Sequence, residues 1–557
     1  MESNTIQDTI ANVREKFKDV RKLLDDHEKF STETKPYKIK YQAIDVLKSM
    51  EMDLIKILAD MPEEEKEELQ MGEEQFMKCL KLLENKELEP EAVLPVLSTL
   101  NQLGLIWSQW NQPTKAKEFL DQAEKIYNDF IDTNNPCRDP INMAQNFGIE
   151  QVKDELSPKE VLEKVHTLTL YYLAQVYSSL KDHRQSAIYC HMTLRRQLGD
   201  NDIMQDLDCI DWALNAATLS QYFMSNDGFS QARHHLAAAS YILQRHRSAD
   251  VARCWAKYGI LLMSLSKQRL LEKNESEEEN DQSKLNNKDP SKSTIIESLK
   301  FDVLEKDIEP IAVQITDKYL LDSTDSRIVF FNVLKWLEQA KAYYTLENHA
   351  SDHILIVQDI SQAYKYLSFF TETETEQLCL HQRRKTILEN VLKELNPQYY
   401  QSACRQIWFE LGEIYSDMRD IWYDRARSSD KKPVLHTLKQ SNRLAMSAIK
   451  NFQAFLDSIQ TRNCNSEIEQ FPNEVMQPAL FSYFHLGRLY NKIITSDKAV
   501  QLKNAQNSIN AYKFVIDYCE KYPKAAEVMK IELSLCKELV SVLPIKINML
   551  REQMMDR

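Results

Sequence analysis

Apolar residues recur every three or four positions through most of this chain, which is the spacing that places them on one face of an α-helix. The stretch TLYYLAQVYSSL at 169–180 is representative. Leu170, Leu173 and Tyr177 follow the helical period, while Tyr171 and Gln175 fall outside that stripe. The pattern predicts helices that pack on one face and leave polar groups on another.

A longer pattern repeats on top of the helical one. In the first helix of each copy, two apolar positions are followed by Gly, Ala or Ser and then by an aromatic residue. In the second helix, a small residue, a large apolar residue and another small residue follow in that order. This is the tetratricopeptide template, in which the small residue lets two helices approach closely while the larger ones join them. The copies in the N-terminal half are Leu100, Leu103, Gly104, Trp107, Ala116, Leu120 and Ala123; Leu170, Leu173, Ala174, Tyr177, Ser186, Cys190 and Thr193; and Ala216, Leu219, Ser220, Phe223, Ala232, Leu236 and Ala239.

The C-terminal half carries two further first helices of the same type. They are Trp408, Leu411, Gly412 and Tyr415, and then Tyr483, Leu486, Gly487 and Tyr490. Beyond Tyr490 the small, aromatic and apolar places are filled about nine residues late, by Ser508, Tyr512 and Val515. We therefore expect that helix to begin late, after a longer loop. The whole pattern predicts an all-α, tetratricopeptide-like right-handed α-solenoid in two halves.

A change of composition separates the halves. Residues 271–310 begin with a charged, polar stretch that has almost nothing to bury, which is typical of disorder. We expect an N-terminal solenoid subdomain with a concave groove at 1–270, an acidic linker at 271–310 and a C-terminal helical subdomain at 311–557. A second acidic stretch, at 61–76, is expected to run from a loop into a helix with a solvated face.

Composition argues against several classes of function. The chain has 8 glycines in 557 residues, so no glycine-rich phosphate loop can be assembled. A net charge of −14 disfavours nucleic acid and anionic membranes and favours a basic partner. The 10 cysteines lie singly, without the spacing of a zinc site or a disulfide framework.

Catalytic patterns are equally scarce. The adjacent His234 and His235 point to different sides of a helix, and neither HExxH nor GxSxG occurs. We expect no enzyme, no cofactor, no metal and no small-molecule substrate. The N-terminal segment lacks an apolar signal region and no apolar run approaches ~18 residues, so a cytoplasmic protein without membrane insertion is expected.

The groove of such an array is lined by the second, fifth, ninth and twelfth positions of each first helix. These positions are Leu168, Tyr171, Gln175 and Ser178 in the second repeat, and Leu214, Ala217, Gln221 and Met224 in the third. Tyr172 and Thr218 lie at the flank between groove and core. Tyr, Gln and Thr suit a helix or a folded surface, because gripping peptide carboxylates requires cations. Spacing alone fits an ordinary solvated groove equally well.

Several segments resemble a known family. LYYLAQVY at 170–177, HMTLRRQL at 191–198, ALNAATLSQY at 213–222, ARCWAKY at 252–258, LNPQYY at 395–400 and YKFVIDYCEKYPKAA at 512–526 are similar to the KIF-binding protein family. The similarity runs from about residue 35 to the end and is weakest at 61–95 and 271–330. It implies a non-enzymatic, cytoskeleton-associated solenoid that binds motor domains of kinesins, of the kinesin-3 type and others. It also implies control of microtubule attachment, and through it of axonal microtubule organisation, axon outgrowth and organelle transport.

The resemblance also assigns residues. The family's motor-contacting positions fall on Tyr172, Gln175, Gln197 and Thr218, and all four residue types match. Tyr171, Gln221 and Arg196 are possible additional groove residues, although a cation at position 196 also suits the end of a helix. A general tetratricopeptide adaptor or chaperone-linked scaffold that binds extended peptides is the alternative.

Overall fold

Helices make up nearly all of the part of the chain that can be described. The structure, a computed structural model, describes residues 64–132, 139–141, 157–198, 208–243, 249–278, 299–428, 435–460 and 470–555. No strand occurs within these ranges. The expected all-α class is therefore confirmed.

The described helices of the N-terminal half are α1 (Glu64–Leu82), α2 (Val93–Gln109), α3 (Pro113–Asp132), α4 (Pro158–Ser179), α5 (His183–Gln197), α6 (Cys209–Ser225), α7 (Phe229–Ile242), α8 (Ala249–Glu278) and α9 (Glu305–Ala312). Those of the C-terminal half are α10 (Ser323–Tyr343), α11 (Ala350–Phe370), α12 (Glu374–Glu394), α13 (Gln401–Ser428), α14 (Leu435–Gln460), α15 (Asn473–Lys492), α16 (Lys498–Lys521), α17 (Pro523–Val528) and α18 (Lys530–Met555). Consecutive helices pack in pairs, as the repeat pattern predicts.

The chain divides into two compact units. The first unit comprises the described residues of Met1–Cys254 and Leu285–Gln314, and the second those of Trp255–Lys284 and Ile315–Arg557. The expected linker at 271–310 is helical up to Glu278 and is folded again from residue 299, while 279–298 lie outside the described residues. A separate linker between the two subdomains stays a prediction.

The repeat positions form the core, as predicted. In the three N-terminal copies all of them are buried except Trp107, Tyr177, Ser186 and Cys190, which are half-buried. A Cβ atom on Gly104 would come within 2.6 Å of Leu120 Cγ, so the close approach that the template requires occurs between α2 and α3. The same relationship joins Gly487 to Tyr512, at 2.7 Å from the ring.

The expectation of a late helix after Tyr490 is wrong. Helix α16 begins at Lys498 and only five residues separate it from the end of α15, so the loop is short. Ser508 and Tyr512 nevertheless pack against Gly487 as predicted, since Ser508 Oγ donates to its carbonyl oxygen at 2.7 Å. The offset arises because α16 is a longer helix and its packing residues lie farther along it.

A short segment completes the first unit. Residues 299–314 belong to the first unit, although Trp255–Lys284 before them and Ile315–Arg557 after them belong to the second. They carry α9, which packs on α7. Phe301 is buried, with its ring 4.7 Å from that of His191 and 5.3 Å from that of Trp212. Its backbone N–H donates to His234 Nε2 at 2.8 Å. We call residues 299–314 the return segment.

Candidate functional site

Helices α4, α5 and α6 are held in place by local signals and by buried hydrogen bonds. Ser157 and Glu160 form a capping box at the start of α4, and Asp182 and Asp208 cap α5 and α6. Trp212 Nε1 donates to the carbonyl oxygen of Leu194 at 3.0 Å, which fastens α6 to α5. These caps and the α5–α6 hydrogen bond therefore fix the positions from which the side chains of the three helices project.

A cavity of about 300 Å³ lies among these helices, and we call it the α4–α6 cavity. Tyr171 and Ala174 of α4, Gln197 of α5 and Thr218 of α6 are among its lining residues. The remaining lining residues are His183, Ser186, Ala187, Cys190, Thr193, Leu194, Asn215, Leu219 and Tyr222. A space of this size can accept one or two side chains of a partner and is at the lower end for a small-molecule site.

No Asp, Glu, Lys or Arg side chain is among the residues that line the cavity. Ser186 Oγ donates to the carbonyl oxygen of Ala174 at 2.9 Å, and Thr193 Oγ1 donates to that of Tyr189 at 2.8 Å, so both hydroxyls are engaged. By contrast, the side chains of Gln197, Asn215 and Thr218 make no hydrogen bond to any described residue. Their donors and acceptors remain available to a bound partner.

Burial favours the neutral forms of two ionisable groups of the cavity, the Cys190 thiol and the Tyr222 phenol. Burial raises the pKa of the Cys190 thiol, although a hydrogen bond with Ser186 opposes the shift. Burial likewise raises the pKa of Tyr222, against the influence of Arg184. With a neutral thiol and a neutral phenol, the cavity offers hydrogen bonds and apolar contact, and it lacks the cationic clamp that a carboxylate requires.

The structure brings some of the predicted residues together and separates others. Gln197, Thr218 and Tyr171 line the α4–α6 cavity. Gln221 lines a neighbouring open recess, which shares His183 and Tyr222 with the cavity.

The other predicted residues of α4 lie beside the cavity. Gln175 is exposed on α4 but does not line the cavity. Tyr172 is half-buried and packs against the apolar cluster of Ala116, Leu120, Leu173 and Val176. Tyr172 therefore has a packing role in addition to any role in binding.

Arg196 is held within the first unit. Its Nη1 lies 2.5 Å from Glu163 Oε2, and its Nη2 donates to the hydroxyl of Tyr127 at 2.7 Å. Its guanidinium also lies 4.9 Å from the Tyr127 ring centroid. Arg196 thus joins α3, α4 and α5 to one another, while the next residue, Gln197, lines the cavity.

The expected groove face of α6 is wrong at two positions. Ala217 and Met224 are 1% and 3% exposed, so they belong to the core. Asn215, Thr218 and Tyr222 face the cavity instead, which corresponds to a rotation of the helix by about 100°, or one residue. Asn215 and Tyr222 were not predicted, although they lie three residues before and four residues after Thr218, on the same helical face.

Neither a metal-binding cluster nor a membrane-spanning helix occurs among the described residues. Within them, no group of three or more His, Cys, Asp or Glu side chains is arranged to hold a metal ion. Within the same ranges, no helix has both the length and the hydropathy that crossing a bilayer requires.

Comparison with known proteins gives consistent results. The family described as "KIF-1 binding protein C terminal" matches residues 210–550. The KIF-binding protein of Gallus gallus is 35% identical, with 97% of this chain and 97% of that protein aligned. The Homo sapiens protein of the same name is 36% identical over 88% of this chain and 82% of its own length.

Two solved structures are similar along nearly the whole chain. The structure titled "Kinesin binding protein (KBP)" has a TM-score of 0.57 and 29% identity, and the match covers 96% of this chain and 98% of that one. The structure titled "Cryo-EM map of KIFBP" has a TM-score of 0.59 and 29% identity, with 98% and 100% covered. These relatives are named for binding rather than for a reaction.

Proposed function

This chain belongs to the KIF-binding protein family, and from that premise we propose that it binds the motor domains of a subset of kinesins through the α4–α6 cavity and its rim. The observation that carries the proposal is the convergence of Gln197 and Thr218, from separate helices, on one cavity with their hydrogen-bonding groups unused. Exposed Gln175 and half-buried Tyr172 would extend the contact along α4.

The contact we propose is with the motor's microtubule-binding surface. A motor must present a basic surface to an acidic microtubule, and a chain with a net charge of −14 is attracted to that surface over a long range. Occupation of the surface would keep the motor off its track. Charge cannot select among motors, so selectivity would depend on the shape of the cavity and on its uncharged donors.

The cellular role follows from that competition. We propose a cytoplasmic, cytoskeleton-associated regulator of kinesin-3 type and other motors that acts without catalysis. By controlling microtubule attachment it would influence axonal microtubule organisation, axon outgrowth and organelle transport.

The proposal is tested by pull-down against a panel of purified kinesin motor domains, with microtubules added as competitor. The double variant Gln197→Ala/Thr218→Ala should lose about tenfold or more in affinity, since two hydrogen bonds each contribute roughly 0.5–1.5 kcal/mol. The matched control is Gln453→Ala/Thr386→Ala, which removes the same side chains from exposed positions of the second unit. Equal affinity of the two double variants would refute the site.

A general adaptor would behave differently. Such a protein would bind a fluorescent peptide with a C-terminal carboxylate tightly, and salt would displace the peptide. We expect no such binding at the α4–α6 cavity, because its lining has no Lys or Arg side chain to pair with the carboxylates.

A further inference from the structure

Phe301 of the return segment contacts the two helices that carry the unengaged polar groups of the α4–α6 cavity. Its ring stacks on His191 of α5, with 4.7 Å between the centroids, and lies 5.3 Å from the ring of Trp212 in α6. Neither of these two residues lines the cavity, whereas Gln197 of α5 and Thr218 of α6 do. The return segment therefore supports α5 and α6 from outside the cavity.

Three histidines connect the return segment to α5 and α7, and two of them accept a hydrogen bond through an unprotonated ring nitrogen. His235 Nδ1 lies 2.7 Å from the carbonyl oxygen of Gln231, which can only accept, so Nδ1 carries the proton of that ring. His235 Nε2 then accepts from His191 Nδ1 at 2.9 Å. His234 Nε2 accepts from the backbone N–H of Phe301 at 2.8 Å. A proton added to His234 Nε2 would set two N–H donors against each other and break this bond.

His234 is the histidine of the three that solvent reaches, since its side chain is half-buried and the other two are buried. The charged groups that act on it are Lys300 and Asp302 of the return segment and Arg233 of α7. From α5, Arg195 pairs with Asp302 at 3.0 Å. Burial and Lys300 lower the pKa of His234 to about 4, and Arg233 adds to the shift while Asp302 opposes it. In the docked segment, His234 is therefore neutral near pH 7.

We propose that the return segment is a proton-sensitive latch, which neutral His234 holds against α7 and which protonation of His234 releases from α5 and α6. Release takes Phe301 away from its ring contacts, so that Gln197 and Thr218 lose the support of their helices on that side. Because motor binding at the cavity is itself proposed above, a loss of motor affinity on release rests on that proposal, whereas the release does not.

Acid drives the release. Released His234 has the ordinary pKa of 6.5, and docking lowers it to about 4. The stabilisation of the docked segment is therefore fully present above pH 6.5 and is lost as the pH falls toward 4. Between about pH 7.5 and about pH 5.5, the ratio of released to docked segment should rise roughly tenfold.

Hydrogen–deuterium exchange of the full chain at these two pH values, read by mass spectrometry, measures the release. Labelling times are scaled for the intrinsic change of the exchange rate with pH. In the native chain, peptides from 299–314 should lose protection roughly tenfold at the lower pH, and peptides from α5 and α6 should lose part of theirs. The affinity for a purified motor domain, titrated at the same two pH values, should fall in parallel.

Two substitutions of His234 separate titration from packing. His234→Gln keeps an acceptor near the place of Nε2 and does not titrate, so the return segment should stay docked at both pH values. His234→Leu removes the acceptor and should release the segment at both. The control His349→Gln makes the conservative change at an exposed position of the second unit and should keep the native effect of pH on 299–314.

Three results would overturn the latch. They are equal protection of 299–314 at both pH values in the native chain, an undiminished effect of pH in His234→Gln, and release of 299–314 while α5 and α6 keep their protection. A different result bears on the proposed function alone. If no motor domain binds the native chain at either pH, motor binding is refuted, and hydrogen exchange still decides whether His234 controls the return segment.

Discussion

Gly412 of α13 lies directly against the ring of Phe452 in α14. A Cβ atom at position 412 would stand 2.7 Å from Cε1 and 2.8 Å from Cζ of that ring. No side chain fits in such a gap unless the aromatic ring or one of the helices moves. This close contact joins the two helices of the fourth repeat, and it depends on the smallest residue.

The substitution Gly412→Ala should therefore destabilise the protein. The added methyl group overpacks the contact with Phe452, at a cost of about 1–3 kcal/mol in the free energy of unfolding. The same change at Gly72 is the matched control, because its nearest atom, Ile106 Cδ1, is 3.8 Å away. Gly72→Ala should be neutral or stabilising by up to ~1 kcal/mol, as alanine favours a helix. Chemical denaturation measures both, and equal effects would contradict the packing argument.

Tyr172 calls for two separate substitutions. Tyr172→Ala removes a ring that packs against Leu120 and Leu173, so it should lower the free energy of unfolding by about 1–2 kcal/mol and also weaken motor binding. Tyr172→Phe keeps the ring and removes only the hydroxyl. We expect unchanged stability and a several-fold loss of motor affinity, measured by denaturation and by titration of a motor domain. Full affinity in Tyr172→Phe would show that the hydroxyl makes no contact.

Arg384 is fully buried and is held by three groups. Its Nη2 donates to Glu410 Oε1 at 3.0 Å, and its other nitrogens contact Ser361 Oγ and His381 Nδ1 at 3.2 Å. Arg384→Met should cost about 3–5 kcal/mol, because the carboxylate of Glu410 loses its only cationic partner among the described residues and keeps only the hydroxyl of Ser361. Adding Glu410→Leu should recover much of that loss, since an apolar pair can replace a buried ion pair. A double-mutant cycle by chemical denaturation measures the coupling, and additive losses would contradict it.

His166 predicts a dependence of stability on pH. Its ring stacks on Tyr127 with centroids 3.5 Å apart, and neither ring nitrogen has a hydrogen-bond partner among the described residues. Burial, with a smaller contribution from Arg196, lowers the pKa of His166 from 6.5 to about 3. Below pH 6.5 the unfolded chain takes up a proton that the folded chain does not. The stability that neutral His166 provides is thus fully present above pH 6.5 and decreases as the pH falls toward 3.

The substitution His166→Leu removes this titration. Between pH 6.5 and about 5 the native chain should lose ~1.6 kcal/mol more than the variant, because the unfolded imidazole is half protonated at pH 6.5 and the full slope of about 1.36 kcal/mol per pH unit is reached only below that pH. His349→Leu makes the same substitution at an exposed position and is the matched control. Denaturation midpoints at the two pH values provide the measurement. Parallel curves for native and His166→Leu proteins would exclude this histidine as a source of acid sensitivity.

The sequence predicts the packing residues better than the surface ones. Leu100, Gly104 and Leu120 could be placed because the contact between two consecutive helices is local, and its residue types are narrowly constrained. The exposed face of α6 could not be placed by period alone, because α6 packs on both α5 and α7 and those contacts decide which residues are covered. For the same reason the pattern could not show that Arg196 binds Glu163, which lies 33 residues earlier.

The return segment determines the order in which the first unit can be completed during synthesis. Phe301 fills a space between His191, Trp212 and His235, yet the ribosome adds it after the residues of α8 that belong to the second unit. The nascent first unit must therefore wait, with that aromatic space unfilled, until more than forty further residues beyond Cys254 have emerged. At about 5–20 residues per second this pause lasts several seconds, during which a chaperone can reach apolar surface that the finished protein conceals.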